Sequence, residues 1–373
     1  MREWNPKIEA SESIAILGSL DSRLSNTDVK GAMAKPLAKS LELIGSWGDD
    51  LDLSPLSVCK DAERLAIRYA VNFRLSSFPT MKRVKEVSIS HLSGDIVIDE
   101  CSSFPNLKTF GVYKSPDVCS VRLDGLASHE SVEFVTIKDT GIKSLDLSPL
   151  SSLKQLSGLT VESTSIEEID LTPLKECETF HRIYLRFNHS FREIDLSCLP
   201  MGIRDVTVTD SDFKTLDLSP LKDFHSLMFI HISKNNLREI DLSPLSQHRY
   251  LLSVNLSGNP VGTIDLVPLR TCPSVGTLDL SGMQLNTIDL KPLEGSMLDA
   301  LYLAQNPLEE LDLTPLRECK SLMRISLLFC DRLEVLDVTP IIFLDCEVSH
   351  HENTKLIADR RFQTDTWDNV KWY

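Results

Sequence analysis

The stretch Ile240-Asp241-Leu242-Ser243-Pro244-Leu245 decides the fold of this chain, because the chain keeps repeating it. Close copies stand at 145–150, 169–174, 264–269, 288–293 and 311–316. Looser ones stand at 194–199, where Cys198 takes the proline's place, at 216–221 and at 336–341. From Asp146 to Asp337 the successive aspartates are 24, 25, 22, 24, 24, 24, 23 and 25 residues apart. A period of that length is the signature of a solenoid, in which each coil buries its apolar side only against its neighbours.

Between two copies the pattern is equally regular. Leu251, Val254, Leu256, Asn259, Val261 and Ile264 follow the spacing L-x-x-L-x-L-x-x-N-x-L-x-x-I. Val254-x-Leu256 alternates at period two, which predicts a short strand with one buried face. Asn259 stands at the next corner, where a side-chain amide replaces backbone partners that a tight bend removes. Ile264-x-Leu266 alternates again on the opposite side of the coil. The Ser-Pro or Thr-Pro step then reads as an N-cap and first helical residue, opening a short turn whose Leu points inward. Each coil returns in the same direction, so successive strands pair in parallel.

This spacing resembles the leucine-rich repeat family closely. Other coils match it at Leu227, Ile230, Ile232, Asn235, Leu237 and Ile240, and at Leu298, Leu301, Leu303, Asn306, Leu308 and Leu311. The resemblance covers residues 51–345. It implies an α/β solenoid with a curved, parallel concave sheet and a convex side of short strands and helical turns. From Asp52, steps of 22, 23, 25 and 24 arrive at Asp146, which makes about thirteen turns of 22–25 residues. The corner Asn is replaced by Thr140, Thr164, Ser211, Met283 and Cys330 in other coils. Met283 has no group to make those bonds, so a broken Asn ladder and uneven curvature are expected there.

The ends depart from the repeat. In residues 1–50, apolar spacing at 11–20 and 28–44 reads as helical, with Gly18 and Gly45 near the ends. This segment is expected to be a helical cap over the first coil, although Lys35-Pro36-Leu37 echoes the motif. After Ile341 the pattern stops. Residues 343–348 suit one last strand, and 346–373 form a C-terminal cap or a docking tail carrying Trp367, Trp372 and Tyr373.

The net charge of -15 and a pI near 5.1 argue against nucleic acid as a partner. Nine cysteines are spread without close pairs. Cys59, Cys177, Cys272 and Cys319 fall seven residues after an Asp or its equivalent, in a column that elsewhere holds Met81, Leu153 and Phe224. They read as buried, reduced thiols in a core column. No signal-peptide core and no run of membrane-spanning length is present, so a cytoplasmic, monomeric protein without a membrane partner is expected.

No G-x-S-x-G, P-loop, H-E-x-x-H or dinucleotide glycine pattern occurs, so no catalytic, cofactor-binding or metal residues are assigned. His350-His351-Glu352 reads as a solvated cluster. The repeated Asp faces outward in a file that invites calcium, but structural bonding to the Ser-Pro turn, or pairing with Lys143, Arg192, Lys214 or Arg238, accounts for it as well. What remains is the concave face. There Arg182, Tyr184, Arg186, Phe229 and His231 gather, with Phe134 and Lys138 at the edge. Arg and aromatic residues dominate interface hot spots. The resemblance implies a non-enzymatic scaffold that binds another protein on this face. The alternatives are an adaptor or substrate receptor in a larger enzyme complex, and a calcium-stabilised solenoid.

Overall fold

The structure is a computed structural model, and it describes residues 13–17, 39–45, 52–70, 74–99, 101–363, 367 and 370–372. The chain divides into two compact units, Met1–Phe191 with Cys198–Pro200, and Arg192–Ser197 with Met201–Tyr373. In the first unit parallel strands run at Ser13–Leu17, Ser40–Ile44, Arg64–Arg68, Glu86–Ser90, Thr109–Tyr113, Phe134–Lys138, Gly158–Glu162 and Arg182–Arg186, each bonded to the next. In the second they run at Asp205–Thr209, Phe229–His231, Ser253–Asn255, Thr277–Asp279, Ala300–Tyr302, Arg324–Leu327 and Glu347–His350.

Alternation decides which side of each strand is core. Val135, Ile137, Leu159, Val161, Ile183 and Leu185 are all at most 1% exposed. The residues between them lie on the open face, as the pleat requires. Leu256 and Leu245 are 0% exposed while Asp241 is exposed, so the register read from the motif holds.

On the other side of each coil the Ser-Pro-Leu step forms a 3-10 turn, such as Ser243–Leu245 with Pro244 at its start and Leu245 buried. The expected serine cap is not what holds it. The capping position belongs to Leu242 (φ -88, ψ -2), which has no side-chain cap bond. The carboxylate one residue earlier does the work: Asp241 Oδ1 accepts the Ser243 N–H at 2.8 Å. Asp52, Asp146, Asp170, Asp195, Asp217, Asp265, Asp289, Asp312 and Asp337 make the same bond at 2.8–3.0 Å. The donor is the N–H of Val267 in one coil and of Lys291 in another, so the backbone, not a hydroxyl, is what the Asp column recognises. The second alternating segment forms a ladder in few coils. Among the described residues these are Ile96–Val97 with Val121–Arg122, and Val335–Asp337, Lys355–Ala358 and Lys371–Trp372.

The corner asparagines act between coils. Asn306, 1% exposed, accepts the Met283 and Leu285 N–H groups at 3.0 and 3.1 Å and donates to the Leu280 and Leu303 carbonyls at 2.9 Å each. Asn188 accepts from the Thr164 N–H, Asn235 from Ser211 and Asn259 from Asn235. Met283 therefore leaves no orphan amide, since the next coil's Asn reaches back to it.

The Cys column is core, as its sequence neighbours indicate: Cys59, Cys177, Cys272 and Cys319 are at most 3% exposed. Each of the last three thiols points to a carbonyl of the preceding coil: Leu150 at 3.5 Å, Leu245 at 3.0 Å and Leu293 at 3.2 Å. His248 occupies the same column, 1% exposed, with Nε2 2.9 Å from the Leu221 carbonyl. The column is core throughout: it also holds Met81, Leu153 and Phe224, buried at 4%, 1% and 3% exposed, and where it holds Cys177, Cys272, Cys319 or His248 the side chain also meets that carbonyl.

Both ends correct the sequence reading. Where the N-terminal segment is described, it is strand and not helix. Ser13–Leu17 pairs in parallel with Ser40–Ile44, and that strand with Arg64–Arg68. Ile14-x-Ile16 and Leu41-x-Leu43 alternate at period two, and a neighbouring strand supplies the partner that a helix reading ignores. The Lys35-Pro36-Leu37 echo lies outside the described residues. At the C-terminus coiling continues past Ile341, with Glu347–His350 on Arg324–Leu327 and Lys355–Ala358 on Val335–Asp337. Trp367 Nε1 donates to the Ile342 carbonyl at 3.2 Å, while Tyr373 lies outside the described residues.

Candidate protein-binding face

Three adjacent strands of the first unit carry five of the seven residues singled out in the sequence: Phe134 and Lys138 on one, Arg182, Tyr184 and Arg186 on another, with Gly158–Glu162 between. All five point away from the core; Arg182 is exposed and the other four are half-buried. They are not independent. The Arg182 guanidinium lies 5.8 Å from the Phe134 ring centre, across the middle strand. Arg186 lies 4.7 Å from the centre of the Tyr184 ring. Both distances are those of cation–π contacts. Lys138 Nζ is 2.6 Å from Glu162 Oε1, with side-chain exposures of 39% and 14%.

Gly158 is the residue that sequence reasoning missed. A Cβ there would stand 3.0 Å from Arg182 Cγ and 3.2 Å from Phe134 Cδ1. Its missing side chain is the bed on which the Arg182–Phe134 pair lies. Gly111, two strands earlier, does the same for Tyr113, whose ring would be 2.4 Å from an added Cβ. Burial pushes the Tyr113 hydroxyl up from its ordinary pKa, against the opposing effect of its bond to Thr136. The available signal was a Gly in the outward column of a strand, where it has no turn to make.

Phe229 and His231 belong to the second unit. Their rings are 6.1 Å apart, edge to face, and His231 Nε2 is 3.3 Å from Ser253 Oγ. The following coils carry small polar partners, Asn255 with Ser257 and Asp279 with Ser281. The seven residues expected in one cluster thus divide between the two units, five in the first and two in the second.

On the opposite side the Asp file is committed to its own turns. The hydroxyl and N–H of Ser148 hold Asp146 below the usual carboxylate pKa, those of Thr172 do so for Asp170, and the N–H and hydroxyl of Ser243 for Asp241. Among the described residues no group of His, Cys, Asp and Glu has a metal-binding arrangement.

The architecture places the chain among known folds. A leucine-rich repeat protein of Leptospira interrogans superposes with a TM-score of 0.63 over 91% of each chain, at 14% identity. The fold is that of the leucine-rich repeat proteins. Toll-like receptor 13 in complex with a single-stranded RNA superposes at 0.66, with 14% identity, over 90% of this chain and 53% of the receptor. Drosophila Toll in complex with Spatzle does so at 0.65, with 13% identity, over 93% of this chain and 57% of the other. No family model matches the sequence and no curated protein matches it. In leucine-rich repeat terms, the five first-unit residues occupy the outward positions of the repeat strands. The fold leaves those positions free of any duty to the core.

Proposed function

We propose that this chain is a non-enzymatic scaffold that binds another protein on the open face of its repeat sheet. In the first unit the contact residues are Phe134, Lys138, Arg182, Tyr184 and Arg186; in the second they are Phe229 and His231. One observation carries the reading. Two Arg–aromatic pairs are built on outward-facing strand positions that core packing does not require. Large, partly ordered Arg and aromatic side chains lose little freedom on binding and supply both area and directional bonds. Among proteins of this fold, Toll is seen with Spatzle and Toll-like receptor 13 with RNA. The net charge of -15 favours the protein class of partner for this chain. The reading extends to a monomer, and to the cytoplasm, the latter supported by nine cysteines that form no disulfide, seven of them buried.

The test uses the full chain with a photoreactive side chain in place of Thr160, at the centre of the first-unit face, to capture the partner from native extract. Calorimetry with the purified partner then compares variants. Tyr184→Ala should weaken binding by ~2 kcal/mol or more, while Ser257→Ala and Ser281→Ala change little. Unchanged affinity in both Tyr184→Ala and Arg186→Ala, with thermal unfolding also unchanged, refutes the assignment.

A further inference from the structure

In the second unit, the corner after each strand of the large sheet turns through a left-handed residue. The column reads Asp210, Lys234, Gly258, Gly282, Gln305 and Phe329, with φ between 51° and 71°. Glycine adopts that backbone freely, whereas the Cβ of any other L-residue strains it. The column is polar or bare until Phe329, which is 61% exposed, with Leu328 beside it 42% exposed. Among the described residues the Phe329 ring meets no other ring and no cation. Tyr69, at the same corner of a first-unit coil (φ 63), instead stacks on His91 at 5.0 Å. Phe329 thus combines backbone strain with apolar exposure, and the fold recovers neither. We propose that Leu328 and Phe329 are an apolar anchor for a protein partner, taking a segment whose apolar side chains are flanked by Lys or Arg. The proposal rests on the reading of the chain as a protein-binding scaffold and adds a second-unit contact with its chemistry.

The anchor is held rigidly and stands clear of its neighbours. The Leu328 carbonyl accepts the Gln305 N–H at 2.8 Å, and the Cys330 N–H reaches the Leu327 carbonyl at 3.3 Å. Cys330 is 0% exposed, with its thiol 3.2 Å from the Leu303 carbonyl. Bonds on both sides therefore hold residue 329 in its left-handed turn, and strain fixed in this way gathers at contact sites. The carbonyls of Ser281 and Ala304 serve Gly258 and Gly282 as that of Leu328 serves Gln305, so Leu328 continues the column of Ser281 and Ala304. Those side chains are small. The Leu328–Phe329 pair rises above them as a step, open to a partner's side chain on that flank.

Charge selects what the step receives. Around it stand the carboxylates of Glu309, Asp331 and Glu352 and a single arginine, Arg332, which Glu309 already engages at 3.4 Å. His351 Nε2 lies 3.4 Å from Asp331 Oδ1, which brings the Glu352 end of that coil to the same corner. An apolar residue flanked by carboxylates would meet like charge here, and one flanked by Lys or Arg meets opposite charge. Exposed apolar side chains rimmed by charge are the ordinary make-up of a protein contact.

The experiment measures fluorescence anisotropy of a short fluorescein-labelled peptide, two leucines between lysines, with the full-length chain. Control peptides carry serine for leucine, or glutamate for lysine. The Leu–Lys peptide should bind more tightly than either control. Phe329→Gly should weaken it by roughly tenfold, as loss of an anchor side chain does. Phe329→Tyr, which keeps the ring, should retain most of the affinity. Thermal unfolding of Phe329→Gly should be unchanged or higher than wild type, because glycine already fills this corner at Gly258 and Gly282. A merely structural ring would lower it, and earlier unfolding of that variant overturns the proposal. So does equal affinity in wild type and Phe329→Gly, or binding of the Leu–Glu peptide as tight as that of the Leu–Lys one. A dimer seen by sedimentation of the wild type and lost in Phe329→Gly overturns it in favour of a second copy of the chain. These failures are separable from failure of the broader reading. A captured protein whose affinity depends on Tyr184 but not on Phe329 removes this anchor only. Peptide binding that depends on Phe329, with no Tyr184-dependent protein, removes the first-unit assignment and leaves the anchor standing.

Discussion

Replacing Asn306 by Leu tests whether the corner amides hold neighbouring coils together. The substitution keeps volume and burial but removes the acceptor of two N–H groups, Met283 at 3.0 Å and Leu285 at 3.1 Å. It also removes a donor from the Leu280 and Leu303 carbonyls. The Leu303 carbonyl keeps the Cys330 thiol at 3.2 Å, so the carbonyl side of the loss is partly covered. The two amides have no water to turn to, since Asn306 is 1% exposed and Met283 and Leu285 are 0% exposed. A buried unsatisfied group costs ~1–3 kcal/mol, so the two together predict a destabilisation of ~2–6 kcal/mol. Urea unfolding of the full chain gives the global value. Repeat arrays depart from two-state behaviour, so amide exchange at residues 283 and 285 gives the local one. The control is Asn236→Ala, an exposed Asn whose amide reaches Asp212 at 3.3 Å; its change should stay within ~0.5 kcal/mol. A loss below ~1 kcal/mol in Asn306→Leu, with exchange at 283 and 285 unaltered, refutes the account.

Three further outcomes follow from the core and the turns. In the native state a thiol reagent should label Cys119 first, then Cys198, and the seven buried cysteines only slowly. Burial pushes the Cys59, Cys177, Cys272 and Cys330 thiols up, and that of Cys346 up to about 12; rapid labelling of all nine contradicts this. The Asp column should make the turns acid-sensitive. The folded pKa of Asp146, Asp170 and Asp241 lies below the ordinary 3.8, so their stabilisation is complete above that value and lost as pH falls through the lower folded one. Thermal melts of Asp241→Asn, which keeps an acceptor without the charge, should show a shallower acid dependence than wild type, and an identical slope argues against the Asx role. Leu256→Ala, at a site 0% exposed, should cost ~2–5 kcal/mol in urea titration.

The repeat strands were legible because the signal is doubled. Val254 and Leu256 alternate within a coil, and the same pair returns a fixed step later. The N-terminal strands were not, because Ser13–Leu17 and Ser40–Ile44 lack the Ser-Pro-Leu marker that phases the later coils. In so short a segment, helical and strand periods overlap. The Asp role was legible: outward placement alone suits an ion site too, but the sequence has no Gly-rich calcium loops, which favours bonding to backbone amides of the Ser-Pro turn. The Ser243 N–H on Asp241 is that bond. The candidate face was legible only in part. The outward columns located Arg182 and Tyr184, but the Arg182–Phe134 contact skips a strand, and only the absent side chain of Gly158 makes that reach possible.

The corner amides also give the array a direction in time. Asn188, Asn235, Asn259 and Asn306 each take an N–H from the coil made before them in the chain. During synthesis, a coil that has just emerged has its corner amide waiting for a residue not yet translated. Its own asparagine has by then already closed the corner behind it. Growth therefore seals each coil one step late, and the unfinished corner travels with the newest coil. Trimming such an array from its C-terminal side reopens the corner N–H groups of the new last coil wherever the coil cut from it bore the Asn: two for Asn306, one for Asn188, Asn235 or Asn259. Trimming from the other side only returns an amide side chain to water.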